Sequence, residues 1–141
     1  MSVCLTRLDH IGAPTPDATE AAAMYERLGM RVIHEETLTA FNIEAVCLAS
    51  AGTVLELLEP TGPGPVADFL ERSGAGFQHI AYQVADLQAT MATLRAAGVG
   101  FRTEAPVTGV GGAEVVFLDS GSKQGLETEL VQAPGGFDGQ H

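Results

Sequence analysis

Cations are scarce in this chain. Seven Lys+Arg stand against 18 Asp+Glu, and with the four His neutral the formal net charge is −11. Nucleic-acid binding rests on clustered Lys and Arg, so this balance excludes it. It also excludes electrostatic attraction to an anionic membrane surface. Cysteine is nearly absent. Cys4 and Cys47 have no CxxC spacing and are too few for a disulfide scaffold, so both read as small buried hydrophobes. No apolar run approaches the roughly 18–20 residues of a membrane span. Met1–Arg7 lacks the charged-then-apolar pattern of a secretory leader, and a cytoplasmic protein is the expectation. What remains as partners is small molecules, metal cations and other proteins.

The chain has enough apolar content to fold. At 141 residues and 45% hydrophobic, it fits a single domain with a sizeable core and not a disordered segment. The chain also repeats itself. Leu8-Asp9-His10-Ile11-Gly12 matches Phe77-Gln78-His79-Ile80-Ala81, and at the same spacing Asp17 meets Asp86, Ala23 meets Ala92 and Gly29 meets Gly98. Each copy reads as a strand and then a helix. Asp17 and Asp86 are helix starts, and Gly29 and Gly98 are helix stops. Between them, Ala21, Met24/Tyr25 and Leu28, or Leu87, Met91 and Leu94, recur at helical spacing. Met30–Ile33 and Val99–Phe101 then resume extended chain.

The match continues through Glu44, Val46, Leu48 and Ser50 against Glu114, Val116, Leu118 and Ser120. Identity at alternate positions means a strand with one face in common. Val54–Leu58 and Leu126–Val131 each add a further apolar strand carrying an acid. The expected fold class is α+β: two paired βαβββ modules forming a curved mixed sheet around a metal cleft. Module 1 covers about residues 5–60 and module 2 about 77–132. A connector at about 61–76 holds a short amphipathic helix (Val66, Phe69, Leu70), and residues 133–141 form a tail. Neither module of about 70 residues could bury its helix and sheet alone, so the two should pack as one domain.

Four polar residues fall inside apolar strands: His10 beside Ile11, Glu56 between Leu55 and Leu57, His79 beside Ile80, and Glu129 before Leu130-Val131. An ionised carboxylate in such a strand is costly unless it is paired or metal-bound. Each module supplies one His early and one Glu late. Two imidazoles and two carboxylates suit a divalent first-row ion. Four protein ligands on an ion that prefers six leave two positions for a chelating substrate.

These residues carry a resemblance. Asp9-His10-Ile11-Gly12, Leu55-Glu56-Leu57-Leu58-Glu59-Pro60, Phe69-Leu70-Glu71, His79-Ile80-Ala81, Gly111-Gly112-Ala113 and Val116-Phe117-Leu118 resemble the vicinal oxygen chelate superfamily of glyoxalases, bleomycin-resistance proteins and dioxygenases. Within it the chain is most similar to the methylmalonyl-CoA epimerase family, over about residues 5–132. The resemblance implies a divalent ion (Co, Zn, Ni, Mn or Fe) held by His10, Glu56, His79 and Glu129; some epimerases use Gln in place of the first Glu. It implies an isomerase that inverts the α-carbon of a methylmalonyl-CoA-like thioester by 1,1-proton transfer, through an enolate that the ion stabilises. Glu129 would serve one face as acid/base while touching the metal. Glu44, on the strand where the family's second acid is found, would serve the other. One residue of register there turns a side chain to the opposite face. An acyl-CoA-like substrate and a homodimer complete the implied picture.

The chain also departs from that family. Asp119-Ser120-Gly121-Ser122 replaces its usual His-Pro-Lys-Ser, Gln78 replaces a His, and Glu127 stands where it has an apolar residue. By alternation Glu127 shares the face of Glu129, where a second carboxylate repels an anionic acyl-CoA unless paired. Two alternatives follow from the superfamily: a glyoxalase-like isomerase acting on a glutathione hemithioacetal, and a non-catalytic small-molecule binder lacking the metal ligands.

Overall fold

A computed structural model describes residues 3–50, 52–119 and 126–134 of the chain. Ser120, Gly121, Ser122, Lys123 and the tail from residue 135 onward lie outside the described residues.

The first module runs β1 (Leu5–Pro14), α1 (Ala18–Arg27), β2 (Arg31–Leu38), β3 (Ile43–Ser50) and β4 (Thr53–Pro60). The second runs β5 (His79–Val84), α3 (Leu87–Ala96), β6 (Val107–Thr108), β7 (Glu114–Phe117) and β8 (Glu127–Gln132). The connector carries α2 (Pro65–Ser73), which opens on the proline that a first helical turn tolerates. This is the α+β fold of two βαβββ modules. The eight strands form one mixed sheet in the order β2-β3-β4-β1-β5-β8-β7-β6. β1 lies parallel to β4, and β5 parallel to β8; the ladders β2–β3, β3–β4, β6–β7 and β7–β8 are antiparallel.

Both repeated helices begin and end by the same chemistry. The Asp17 carboxylate accepts from the Glu20 N–H at 3.0 Å, and the Asp86 carboxylate from the Ala89 N–H at 2.9 Å. Each cap satisfies an N–H with no intrahelical partner and contributes about 1 kcal/mol. Beyond the last turns, Gly29 (φ 96°) and Gly98 (φ 90°) take the left-handed conformation that a side chain resists.

The chain divides into two compact units, and the division does not follow the repeat. One unit is His10–Gln78; the other takes the described residues up to Asp9 and from His79 onward. β1 is therefore shared, its first half belonging with the second module. In the His10–Gln78 unit, α1 covers Ala13, Val46, Leu48, Leu55 and Leu57 through Ala18 and Ala22. In the other, α3 covers Val84, Val116 and Leu130 through Leu87 and Met91.

The return from α3 is weaker than the sequence suggests. Val99-Gly100-Phe101 contributes only an isolated bridge between Phe101 and Leu118, and β6 is two residues long. Pro106 has no N–H to give a ladder. Gly100 also sits where a Cβ would collide with the Asp119 carboxylate, while its carbonyl takes the Asp119 N–H at 3.0 Å. No helix among the described residues is long and apolar enough to cross a membrane.

Candidate metal centre

In the His10–Gln78 unit, β1 presents His10 and β4 presents Glu56. His10 Nε2 lies 3.3 Å from Glu56 Oε2, and both residues are buried. The ladder explains how they meet. Glu56 stands opposite Gly12, two residues after His10 and therefore on the same face of β1. Across the other edge of β4, Glu56 stands opposite Cys47, which is fully buried.

The second module builds the same pair. His79 Nε2 lies 3.3 Å from Glu129 Oε1, again with both residues buried. Glu129 stands opposite Ala81, two residues after His79, and on its other side opposite Phe117. The small residue in His-Ile-Gly and His-Ile-Ala thus stands opposite the acid in both copies.

The spacing within each pair bears on what the pair can hold. A charge-assisted N–H···O bond closes to about 2.7–2.9 Å. Two donors at about 2.0–2.2 Å from a common ion, separated by a tetrahedral or octahedral angle, stand about 2.8–3.6 Å apart. Both pairs fall in the second range. Imidazole and carboxylate are competent donors for a first-row divalent ion, and burial makes an uncompensated carboxylate expensive. The residues present therefore fit such an ion.

Glu44, the expected second acid/base, lies on β3. β3 and β4 pair without interruption from Ile43↔Pro60 to Ser50↔Thr53, which puts Glu44 opposite Glu59 and Cys47 opposite Glu56. Alternation then turns Glu44 away from the Glu56 face, toward α1. It is exposed, in an acidic cleft with Glu35, Glu36 and the start of α1 at Ala18 and Thr19. The buried residue on the Glu56 face at this point is Ile43.

Two arrangements were not foreseen from the sequence. Asp9 and Gln83, both buried, are joined by a bond from Gln83 Nε2 to Asp9 Oδ1 at 2.8 Å. The signal available was an acid directly before a candidate ligand. The second arrangement surrounds His79. The Phe117 ring meets the His79 ring edge-on, with centroids 5.3 Å apart and planes at 79°. The Arg102 guanidinium lies over Phe117, 4.8 Å from its centroid, and is ion-paired to Glu127. Glu127 in turn stands opposite His79 in the β5–β8 ladder. Its side-chain face was legible from alternation, but its partner, 25 residues earlier in the chain, was not.

Comparison with known proteins agrees with this architecture. The family model of the Glyoxalase/Bleomycin resistance protein/Dioxygenase superfamily matches residues 9–117. An ethylmalonyl-CoA/methylmalonyl-CoA epimerase of Cereibacter sphaeroides is 35% identical over 130 residues, which cover 89% of this chain and 97% of that protein. The crystal structure of methylmalonyl-CoA epimerase from Mycobacterium tuberculosis superposes with a TM-score of 0.89 at 31% identity, covering 95% of this chain and 93% of the other. A variant of Streptomyces coelicolor methylmalonyl-CoA epimerase in complex with 2-nitronate-propionyl-CoA superposes with a TM-score of 0.87 at 32% identity, covering 93% of this chain and 99% of that one.

Proposed function

The chain belongs to the Glyoxalase/Bleomycin resistance protein/Dioxygenase superfamily, and from that premise we propose that it is a metal-dependent epimerase of a methylmalonyl-CoA-like thioester. The observation that carries the reading is the His–Glu pair built twice in one register, each pair at 3.3 Å and buried. Relatives that carry the epimerase name span nearly the whole chain at about a third identity.

In this reading His10, Glu56, His79 and Glu129 are ligands of one divalent ion. His10, His79 and Glu129 are a buried donor group of the composition that holds such an ion. When bound, the ion supplies Lewis acidity to the carbonyl oxygens of a chelating substrate. The apolar strands around the two carboxylates keep water out, which strengthens every charge interaction at the site. Glu129 takes the α-proton at a carboxylate oxygen and so serves one face of the substrate carbon. Inversion needs a proton delivered to the opposite face. Glu44 was the group expected to make that delivery; strand alternation turns it toward α1, and its substitution tests the role.

A homodimer in the cytoplasm belongs to the same reading. The homodimer rests on the resemblance alone.

The test is exchange of the α-proton of methylmalonyl-CoA with solvent deuterium, by protein reconstituted in turn with Co, Zn, Ni, Mn and Fe. Exchange with at least one ion is the expected result. Turnover of a glutathione hemithioacetal in its place assigns the chain to glyoxalase-like chemistry. No stoichiometric ion after reconstitution, together with no exchange, makes it a binding protein.

A further inference from the structure

Glu127 is a puzzle for an enzyme that takes an anionic thioester. It puts an extra carboxylate on the face of Glu129 and directly opposite His79, in a chain that already carries −11. The structure answers it with Arg102, one of only seven Lys+Arg. Arg102 is held from three sides. Its backbone N–H donates to the Phe117 carbonyl at 3.0 Å, its guanidinium lies over the Phe117 ring, and its terminal nitrogen is bonded to Glu127 Oε2. A guanidinium stacked on an aromatic ring and forked toward a carboxylate is positioned more firmly than an ammonium could be. Phe117 reaches from this pair to the ring of His79. The ion pair is only partly exposed, with side-chain exposures of 37% for Arg102 and 29% for Glu127, so solvent does not fully screen it.

We propose that Arg102 is a positioning and specificity-determining residue of this site: by pairing with Glu127 it holds that carboxylate away from the donors His79 and Glu129 and cancels its repulsion of an incoming anionic thioester. The assignment takes its substrate from the epimerase reading, while its effect on the donors stands apart from any substrate. Loss of Arg102 takes this cation from the Glu127 carboxylate opposite His79, which then opposes an anion more strongly and competes for an ion bound there.

The experiment compares wild type, Arg102→Leu and the double variant Arg102→Leu/Glu127→Leu, all loaded with Co2+. Two readouts are taken: KM and kcat for methylmalonyl-CoA at low and high salt, and the visible absorption of bound Co2+ without substrate. In Arg102→Leu, KM rises about tenfold at low salt, the magnitude of one uncompensated like charge, while kcat stays within about twofold. The rise shrinks at high salt, and the Co2+ spectrum shifts. Removing Glu127 as well abolishes both changes. Arg102→Gln keeps a polar side chain of similar reach and shows the same KM rise, so the comparison survives if Arg102→Leu fails to fold. The proposal is overturned if the single variants keep wild-type KM and spectrum, or if the double variant is as impaired as Arg102→Leu. Should wild type catalyse no exchange, the epimerase reading fails by itself, and the Co2+ spectra still decide the role of Arg102.

Discussion

The His10–Glu56 and His79–Glu129 pairs share a 3.3 Å spacing, a small residue opposite the acid and a parallel partner strand, yet their neighbours differ. Across from Glu56 stands Cys47, fully buried, with Ala45 and Ala49 on the same face of β3. Across from Glu129 stands Phe117, which carries Arg102 and through it Glu127. One pair sits among small apolar side chains and the other beside a charged and aromatic stack. Duplication has kept the donors and let their surroundings diverge. The donors are thus where the two modules do the same work, and the neighbours are where they do different work.

The sharpest way to break this comparison is to remove one imidazole at a time. His10→Ala and His79→Ala should each lower α-proton exchange on the order of 10³-fold and remove the stoichiometric ion, measured by exchange rate and metal content. Unequal metal loss would mean that the pairs are not equivalent ligands. Next come the acids. Glu129→Gln removes the acid/base and should lower kcat on the order of 10²–10³-fold. Glu56→Gln retains a ligand oxygen and should keep kcat within about tenfold, so equal losses would erase the asymmetry. A smaller effect tests the surroundings. Cys47→Phe places the residue of one module into the closed position of the other, and should destabilise the fold by about 1–3 kcal/mol in urea denaturation. The smallest effect is expected at Glu44. Glu44→Gln should change kcat by less than about twofold, and a large loss would assign it the second acid/base role.

Much of this was legible in the sequence because the chain states it twice. Asp17 and Asp86 announce helix starts by chemistry that needs no tertiary context, and His10, Glu56, His79 and Glu129 stand out as polar residues inside apolar strands. What depends on register or long-range partners was not legible. Glu44 shows the first case: alternation fixes its face only once the pairing with β4 is known. The Arg102–Glu127 pair and the Asp9–Gln83 bond show the second. Their members lie 25 and 74 residues apart, and nothing local at one end specifies the other. The faded strand after α3 shows a third limit, since Gly98, Gly100 and Pro106 weaken an extended run that pattern alone treats as equal to its counterpart.

The division of β1 has a consequence for how the chain is made. The strands β2, β3 and β4 and the second half of β1 have all been made once Gln78 has left the ribosome. The other unit needs Leu5–Asp9 from the start of the chain and β8 from near its end. Its N-terminal segment is synthesised first but waits longest for its neighbours. Both residues of the His10–Glu56 pair are therefore on hand early in synthesis, while the His79–Glu129 pair waits for Glu129. The part of the protein completed last is the part that carries the Arg102–Glu127 ion pair.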